Sequence, residues 1–171
     1  RQLASGETQH PTGSRHPIVT PFDVFQAQDG PLAIACANDG LFAKLCSALG
    51  QPELSAKPEY ETLFARFAHQ AQLKTELESL LSARTVADWV ELLREADVPV
   101  APICDMADVV RDPQLAQRTM FADLNDPEMG VLRVVASPFK ISGYETRSSR
   151  PPAPNLNEAR AELDDGLWPA D

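Results

Sequence analysis

TGSRHPIVTPFDVFQAQDGPLAIACANDGLFAKLCSALG, residues 12–50, decides the fold. It reads as a loop, a strand, a tight turn, a second strand and a capped helix. Phe22, Val24 and Phe25 give the first strand its apolar bulk. Asp29-Gly30 signals the hairpin, because glycine tolerates the positive φ of a tight primed turn. Leu32 to Cys36 is apolar and uncharged, which predicts a buried strand. Asn38-Asp39 is placed to cap the next helix by accepting bonds from its first free N–H groups. Leu41, Phe42, Leu45, Cys46 and Leu49 recur at helical spacing, and Gly50 suits a left-handed stop.

Downstream, Pro58 fits a helix start, with Tyr60, Leu63, Phe64 and Phe67 on one face. Leu73, Leu77, Leu80 and Leu81 form the stripe of another helix. Thr85, with Asp88 three residues on, caps a third that carries Val86, Trp89, Val90, Leu92 and Leu93. Val98 to Ile103 is extended, but Pro99 and Pro102 make it a poor central strand. Met106 to Val110 is a short helix, and Asp112-Pro113 opens the next. Met120–Leu124 and Val131–Val135 are β-rich, joined through Asp126-Pro127 and Gly130, and Phe139 to Ile141 is a candidate continuation. Residues 142–157 have a linker's composition, and Asn157 to Leu163 a helical turn or two. Hairpins flanking a run of helices predict an α+β fold, a small antiparallel sheet packed against several helices with an extended C-terminal linker. The expected division is 1–12 linker, 13–141 folded domain and 142–171 Pro-rich return linker with a short terminal helix.

Composition narrows the function. A chain of 171 residues suits one domain with tails. A net charge of −10 argues against a nucleic-acid surface. No apolar run approaches the roughly 18 residues a membrane span needs, and no signal peptide is evident. Cys36, Cys46 and Cys104 show neither disulfide nor zinc spacing; the first two read as buried apolar groups in a reducing cytoplasm. His10, His16 and His69 give no metal-ligand pattern.

The best functional candidate is Gly13-Ser14-Arg15-His16. Glycine allows close backbone approach to a ligand, arginine offers a fixed cationic fork, and histidine donates or shuttles a proton. By residue type alone, the same stretch also reads as a solvated turn before a strand. Asp23, Asp29, Asp39 and Asp105 read as turn or cap residues, and Asp108 as a solvated helix position.

These motifs together resemble the class III CoA-transferase family, the carnitine dehydratase/bile-acid-inducible protein F group. The resemblance is carried by Gly13-x-Arg15-His16-Pro17, Pro21-Phe22, Asp29-Gly30, Asn38-Asp39 and Leu45-Cys46-x-x-Leu49-Gly50. Further on, TVADWVELLREADVPVAP (residues 85–102), Asp112-Pro113-Gln114 with Arg118, and Val135 to Lys140 followed by Ser142 extend it. It implies an α+β small domain tied by linkers to a larger domain outside this chain. The implied chemistry moves coenzyme A between carboxylic acids through an aspartyl-CoA thioester. The nucleophilic Asp would lie upstream, so this chain, starting at Arg1, is expected to be a C-terminal portion with no catalytic residue of its own. Gly13, Ser14, Arg15 and His16 would bind substrate. The implied substrates are an acyl-CoA and a carboxylic acid, with no tightly bound cofactor and no metal. The implied assembly is an interlocked cytoplasmic homodimer that includes the missing N-terminal half. Racemase or dehydratase-like chemistry on the same fold, and a non-catalytic interaction domain, are the alternatives.

Overall fold

Strand, turn, strand and capped helix follow one another through residues 22–48 of the computed structural model, as the opening stretch predicts. The structure describes residues 10–144 continuously, and residues 3, 6, 8, 149, 150, 153, 155, 156 and 160 outside that run. It divides into two units, Arg1–Ile103 and Cys104–Asp171, and the expected 13–141 domain spans that division. The fold class is α+β.

In the first unit, β1 (Phe22–Gln26) pairs antiparallel with β2 (Pro31–Ala35), Phe22 opposite Ala35 and Gln26 opposite Pro31. The Ala27 N–H donates to the Gly30 carbonyl at 2.9 Å to close the turn. Gly30 does not use the left-handed φ expected of it. Asp29 fixes this turn instead: its carboxylate accepts from the Val86 N–H at 2.7 Å, joining the hairpin to a helix start. β3 (Val100–Pro102) adds antiparallel to β2 as an edge strand, where its proline costs no ladder bond.

Helix α1 (Asp39–Ala48) is capped by Asn38, whose side chain accepts from the Leu41 N–H at 2.8 Å. At its end Gly50 has φ +74, and the Gly50 and Gln51 N–H groups bond back to the Ser47 and Cys46 carbonyls. That is the left-handed stop glycine favours, because it has no Cβ to clash. A 3₁₀ turn follows at Pro52–Ala56, then α2 (Leu63–Ala68), α3 (Gln70–Leu81) and α4 (Val86–Glu95). Leu73, Leu77 and Leu81 of α3 are fully buried, as their spacing predicts. Each contributes about 1.5–3 kcal/mol of transfer free energy. Trp89 is a core residue and satisfies its indole N–H on the Leu81 carbonyl at 2.7 Å. These side chains pack with Phe25, Leu32, Ile34, Phe42 and Leu45 in one core.

Three local expectations change. The helix expected from Pro58 begins only at Leu63, and Phe64 is exposed. Its buried positions are Tyr60, before the helix, and Arg66 within it. On β1 the inward residues are Asp23 and Phe25, not Phe22, because strand alternation puts Phe22 on the opposite face. Phe139 to Ile141 forms no strand, and Phe139 and Ile141 are exposed.

Arg66 is fully buried. Its Nε donates to the Thr20 carbonyl at 2.8 Å, one terminal nitrogen to the Tyr60 carbonyl at 2.9 Å, and the other to Asp39 Oδ1 at 2.6 Å. The guanidinium lies over the Phe42 ring, 4.6 Å from its centroid. Three separate segments, those around Thr20 and Tyr60 and helix α1, are thereby tied to one cation.

The second unit holds α5 (Met106–Arg111), α6 (Pro113–Gln117) and an antiparallel pair, β4 (Phe121–Asp126) and β5 (Gly130–Val135). A two-residue β6 (Ser149–Arg150) lies parallel to β4. Asp105 and Asp108 form a reciprocal capping box on α5, so Asp108 is a cap partner rather than a plain solvated position. Asp112 caps α6, with Pro113 at its first turn. The helical turn expected over residues 157–163 lies outside the described residues, apart from residue 160.

Replacing Arg66 with methionine orphans the Thr20 and Tyr60 carbonyls. We expect Arg66→Met to lower the unfolding free energy by about 3 kcal/mol or more. Urea unfolding reads it as a lower midpoint at unchanged slope, and a wild-type midpoint would refute it. Burial pushes the Cys36 and Cys46 thiols up to about 12. One thiol, the exposed Cys104, should therefore react with an aromatic disulfide reagent in the native chain, and all three only after unfolding.

Candidate functional site

The loop before β1 is built by short local bonds. The Thr12 hydroxyl donates to the Arg15 carbonyl at 2.7 Å, and Gly13 sits at φ +71. A Cβ on Gly13 would meet no atom within 4 Å, so glycine is needed here for its backbone angle and not for close approach. The Ser14 hydroxyl donates to Asp23 Oδ1 at 2.6 Å. The His16 N–H donates to the Phe22 carbonyl at 2.9 Å, stitching the loop to the strand.

His16 holds the loop's shape. Its Nδ1 accepts from the Ile18 and Val19 N–H groups at 3.2 and 2.8 Å, and its ring stacks on Phe22 at 5.3 Å. These bonds tie the imidazole to the loop's own backbone.

Beside this loop lies a cavity of about 330 Å³. Gly13, Ser14 and Arg15 line it; His16 does not. Phe22, Phe25, Leu73 and Leu77 make its walls apolar, and its polar lining includes Thr12, Ser14, Arg15, Thr20, Asp23, Gln70 and Lys74. Asp23 is 9% exposed. Lys74 of α3 donates to Asp23 Oδ2 at 2.8 Å and to the Val24 carbonyl at 2.7 Å, with its ammonium over the Phe25 ring. Burial pushes the Asp23 carboxyl up, but hydrogen bonds from Lys74, Ser14 and the Val24 N–H, with the lysine charge, outweigh it and hold the group below its ordinary value.

Three polar groups around the cavity are left over. Arg15 makes no side-chain hydrogen bond or ion pair with the described residues. Thr20 Oγ1 and Gln70 Oε1 are buried without a partner among them. Natural proteins seldom leave such atoms unmatched. A second hollow, about 490 Å³ and lined by Lys57, Glu76, Thr75 and Ser79, differs: its lysine is already paired with Glu76 at 2.6 Å.

Sequence reasoning brought Gly13, Ser14 and Arg15 to the cavity and overlooked Thr20, Asp23, Gln70 and Lys74. The sequence suggests a turn or cap residue at Asp23, yet it lies inside β1. A charged residue on a strand's inward face needs a partner, but the ambiguous parity of β1 hides from the sequence that Asp23 is such a residue. Among the described residues no three His, Cys, Asp or Glu side chains cluster as a metal site, and no helix is long and apolar enough to cross a membrane.

Comparison with known proteins bears on the chemistry. The sequence model of CoA-transferase family III matches residues 1–160. The acetyl-CoA:oxalate CoA-transferase of Acetobacter aceti is 41% identical over 160 residues, covering 94% of this chain and 40% of that protein. The succinyl-CoA:mesaconate CoA-transferase of Haloarcula marismortui is 35% identical, covering 92% of this chain and 39% of that one. A crystal structure of a CAIB/BAIF family protein from Brucella suis superposes with a TM-score of 0.81 at 33% identity, over 98% of this chain and 43% of that chain. The chain thus spans about two fifths of the length of these relatives.

The Asp23 carboxyl titrates below its unfolded value, so the stability it brings is present above about pH 4 and is lost as pH falls through the folded value. We expect the gap in urea midpoint between wild type and Asp23→Asn to hold from pH 7 down to about 5 and to close below about 4. In Lys74→Met, burial meets less opposition, and the loss should move to higher pH. A gap that stays constant to pH 3 would contradict this.

Proposed function

The chain belongs to CoA-transferase family III, and from that premise we propose that the full-length protein moves coenzyme A from an acyl-CoA thioester to a free carboxylic acid. This segment would form part of the acid's pocket. The observation that carries the reading is the match over nearly the whole chain to relatives whose names describe this reaction. The cavity beside residues 13–15 adds support, since an arginine without a counter-ion among the described residues, in an apolar setting, suits a carboxylate.

In the proposed reaction an aspartate carboxylate, supplied outside this chain, attacks the acyl carbonyl. The C–S bond breaks and the CoA thiolate leaves, giving an acyl-aspartyl anhydride. The thiolate then attacks the aspartyl carbonyl, releasing the donor acid and leaving an aspartyl-CoA thioester. The acceptor carboxylate attacks that thioester, and the same two steps in reverse release the new acyl-CoA and restore the aspartate. Asp23 is unsuited to be the nucleophile. It is bound by Lys74, Ser14 and Val24, and these bonds stabilise the charge that attack would have to give up. Coenzyme A enters as a substrate in this scheme, not as a resident cofactor. We also propose that the full-length protein is a cytoplasmic homodimer, as the family resemblance implies.

With acetyl-CoA and succinate, the full-length protein should form succinyl-CoA and acetate in equal amounts, followed by chromatography. Hydroxylamine should inactivate it only after acyl-CoA has been added, leaving an aspartyl hydroxamate detectable by peptide mass spectrometry. Absence of transfer with every acid tried, and no hydroxamate, would end the proposal.

A further inference from the structure

We propose that Asp23 is a positioning residue for the transfer site: through the Ser14 hydroxyl it holds residues 13–15 in their binding shape before substrate arrives. The inference deepens the transfer reading and rests on it for the reaction that the loop serves.

The loop has little else to hold it. Thr12, Gly13 and Ser14 are exposed, so packing restrains them weakly. The bond from the Thr12 hydroxyl to the Arg15 carbonyl lies within the loop and ties it to nothing outside. The first backbone bond to the sheet comes only at His16, whose N–H reaches the Phe22 carbonyl. Among the described residues, the Ser14–Asp23 bond at 2.6 Å is therefore the one hydrogen bond that joins residues 10–15 to the rest of the fold. Gly13, at φ +71 with open space around it, adds backbone freedom that an unanchored loop would use.

The Asp23 end of the bond is rigid. Its carboxylate is buried on the inward face of β1. Oδ1 accepts from the Val24 N–H at 2.7 Å as well as from Ser14, and Oδ2 accepts from Lys74 at 2.8 Å. Lys74 is itself fastened to β1 through the Val24 carbonyl. Strand and helix thus fix the carboxylate together, and its charge makes the Ser14 bond stronger than a neutral acceptor would. Stability alone explains this arrangement poorly, because an apolar pair of similar volume often serves a protein interior as well as an ion pair does. What the pair adds is directional: a fixed, charged acceptor aimed at a loop that lines the cavity.

Such an anchor has a kinetic signature. A loop already in shape spends no binding energy on being ordered, whereas a loose one does so each time substrate binds. Loss of the anchor therefore weakens binding of the acid more than it slows the chemistry, since the bound loop is ordered in either case.

The test uses the full-length protein with acetyl-CoA and succinate. Ser14→Ala removes the anchor and leaves Asp23 its bonds to Lys74 and the Val24 N–H. It should raise KM for succinate about three- to tenfold, with a smaller change in kcat. Its melting temperature should stay within about 2 °C of wild type. Ser14→Thr keeps a hydroxyl and should stay near the wild-type KM. Trypsin, with the products weighed by mass spectrometry, reads the loop without substrate. The Arg15–His16 bond should be cut faster in Ser14→Ala and in Asp23→Asn than in wild type, and the double variant should be cut no faster than Ser14→Ala. A KM unchanged in Ser14→Ala, or a cut no faster in either single variant, would overturn the inference and leave the transfer reading intact. No transfer by wild type would sink the transfer reading, while a faster cut in both variants would still establish the anchor.

Discussion

A guanidinium sealed from water is the constraint on which the first unit depends. Burying an arginine costs several kcal/mol unless its charge is matched and its donors are used. Arg66 meets both conditions, with Asp39 as counter-ion and the Thr20 and Tyr60 carbonyls as acceptors. Those carbonyls belong to irregular chain, with no ladder partner of their own. One side chain therefore does for the segments around Thr20 and Tyr60 what a sheet does for strands: it gives buried backbone oxygens a fixed donor. Phe42 beneath the cation ties α1 to the same point.

From there the order passes to the cavity. Thr20 is held through its carbonyl by Arg66 and belongs to the cavity's lining. Two residues on, β1 begins, and its outer edge is closed by unlike groups. His16 donates to the Phe22 carbonyl, Asp23 accepts from the Val24 N–H, Lys74 donates to the Val24 carbonyl, and Glu78 accepts from the Gln26 N–H at 3.2 Å. An open strand edge invites pairing with another chain, and here loop and helix side chains occupy it. The same bonds hang the Gly13–His16 loop beside α3, so edge closure and cavity formation are one event.

How much of this was readable in advance follows from the range of the interactions. The caps at Asn38 and Thr85, the stop at Gly50 and the α3 stripe depend on neighbours a turn away, and all are legible. Arg66 was not, because its acceptor at Thr20 lies 46 residues away and is backbone, which every residue offers equally. The face of β1 was ambiguous for a different reason. Phe22, Val24 and Phe25 put apolar groups on both sides, so alternation alone does not choose the parity. Gly30 misled through a rule that is true in general: an Asp-Gly turn signals a hairpin, but here the aspartate's reach to Val86 fixes the turn without a positive φ. The loop at residues 13–15 was found by residue type and family likeness. Thr20 and Gln70 carry no such mark, since an unmatched hydroxyl or amide is a property of the folded surroundings.

The Asp23–Lys74 pair has a consequence beyond its own stability. A buried carboxylate beside the cavity would attract the nearest cation, and the strength of that attraction rises as water is excluded. Without Lys74, the formal charges left in the lining, those of Asp23 and Arg15, would sum to zero. With Lys74 in place, Asp23 is already satisfied by three donors, and Arg15 keeps its charge available. In a chain of net charge −10, a surplus cation of this kind has to be protected by local pairing. The ion pair lies at the level of packing, yet it also sets the net charge of the cavity lining.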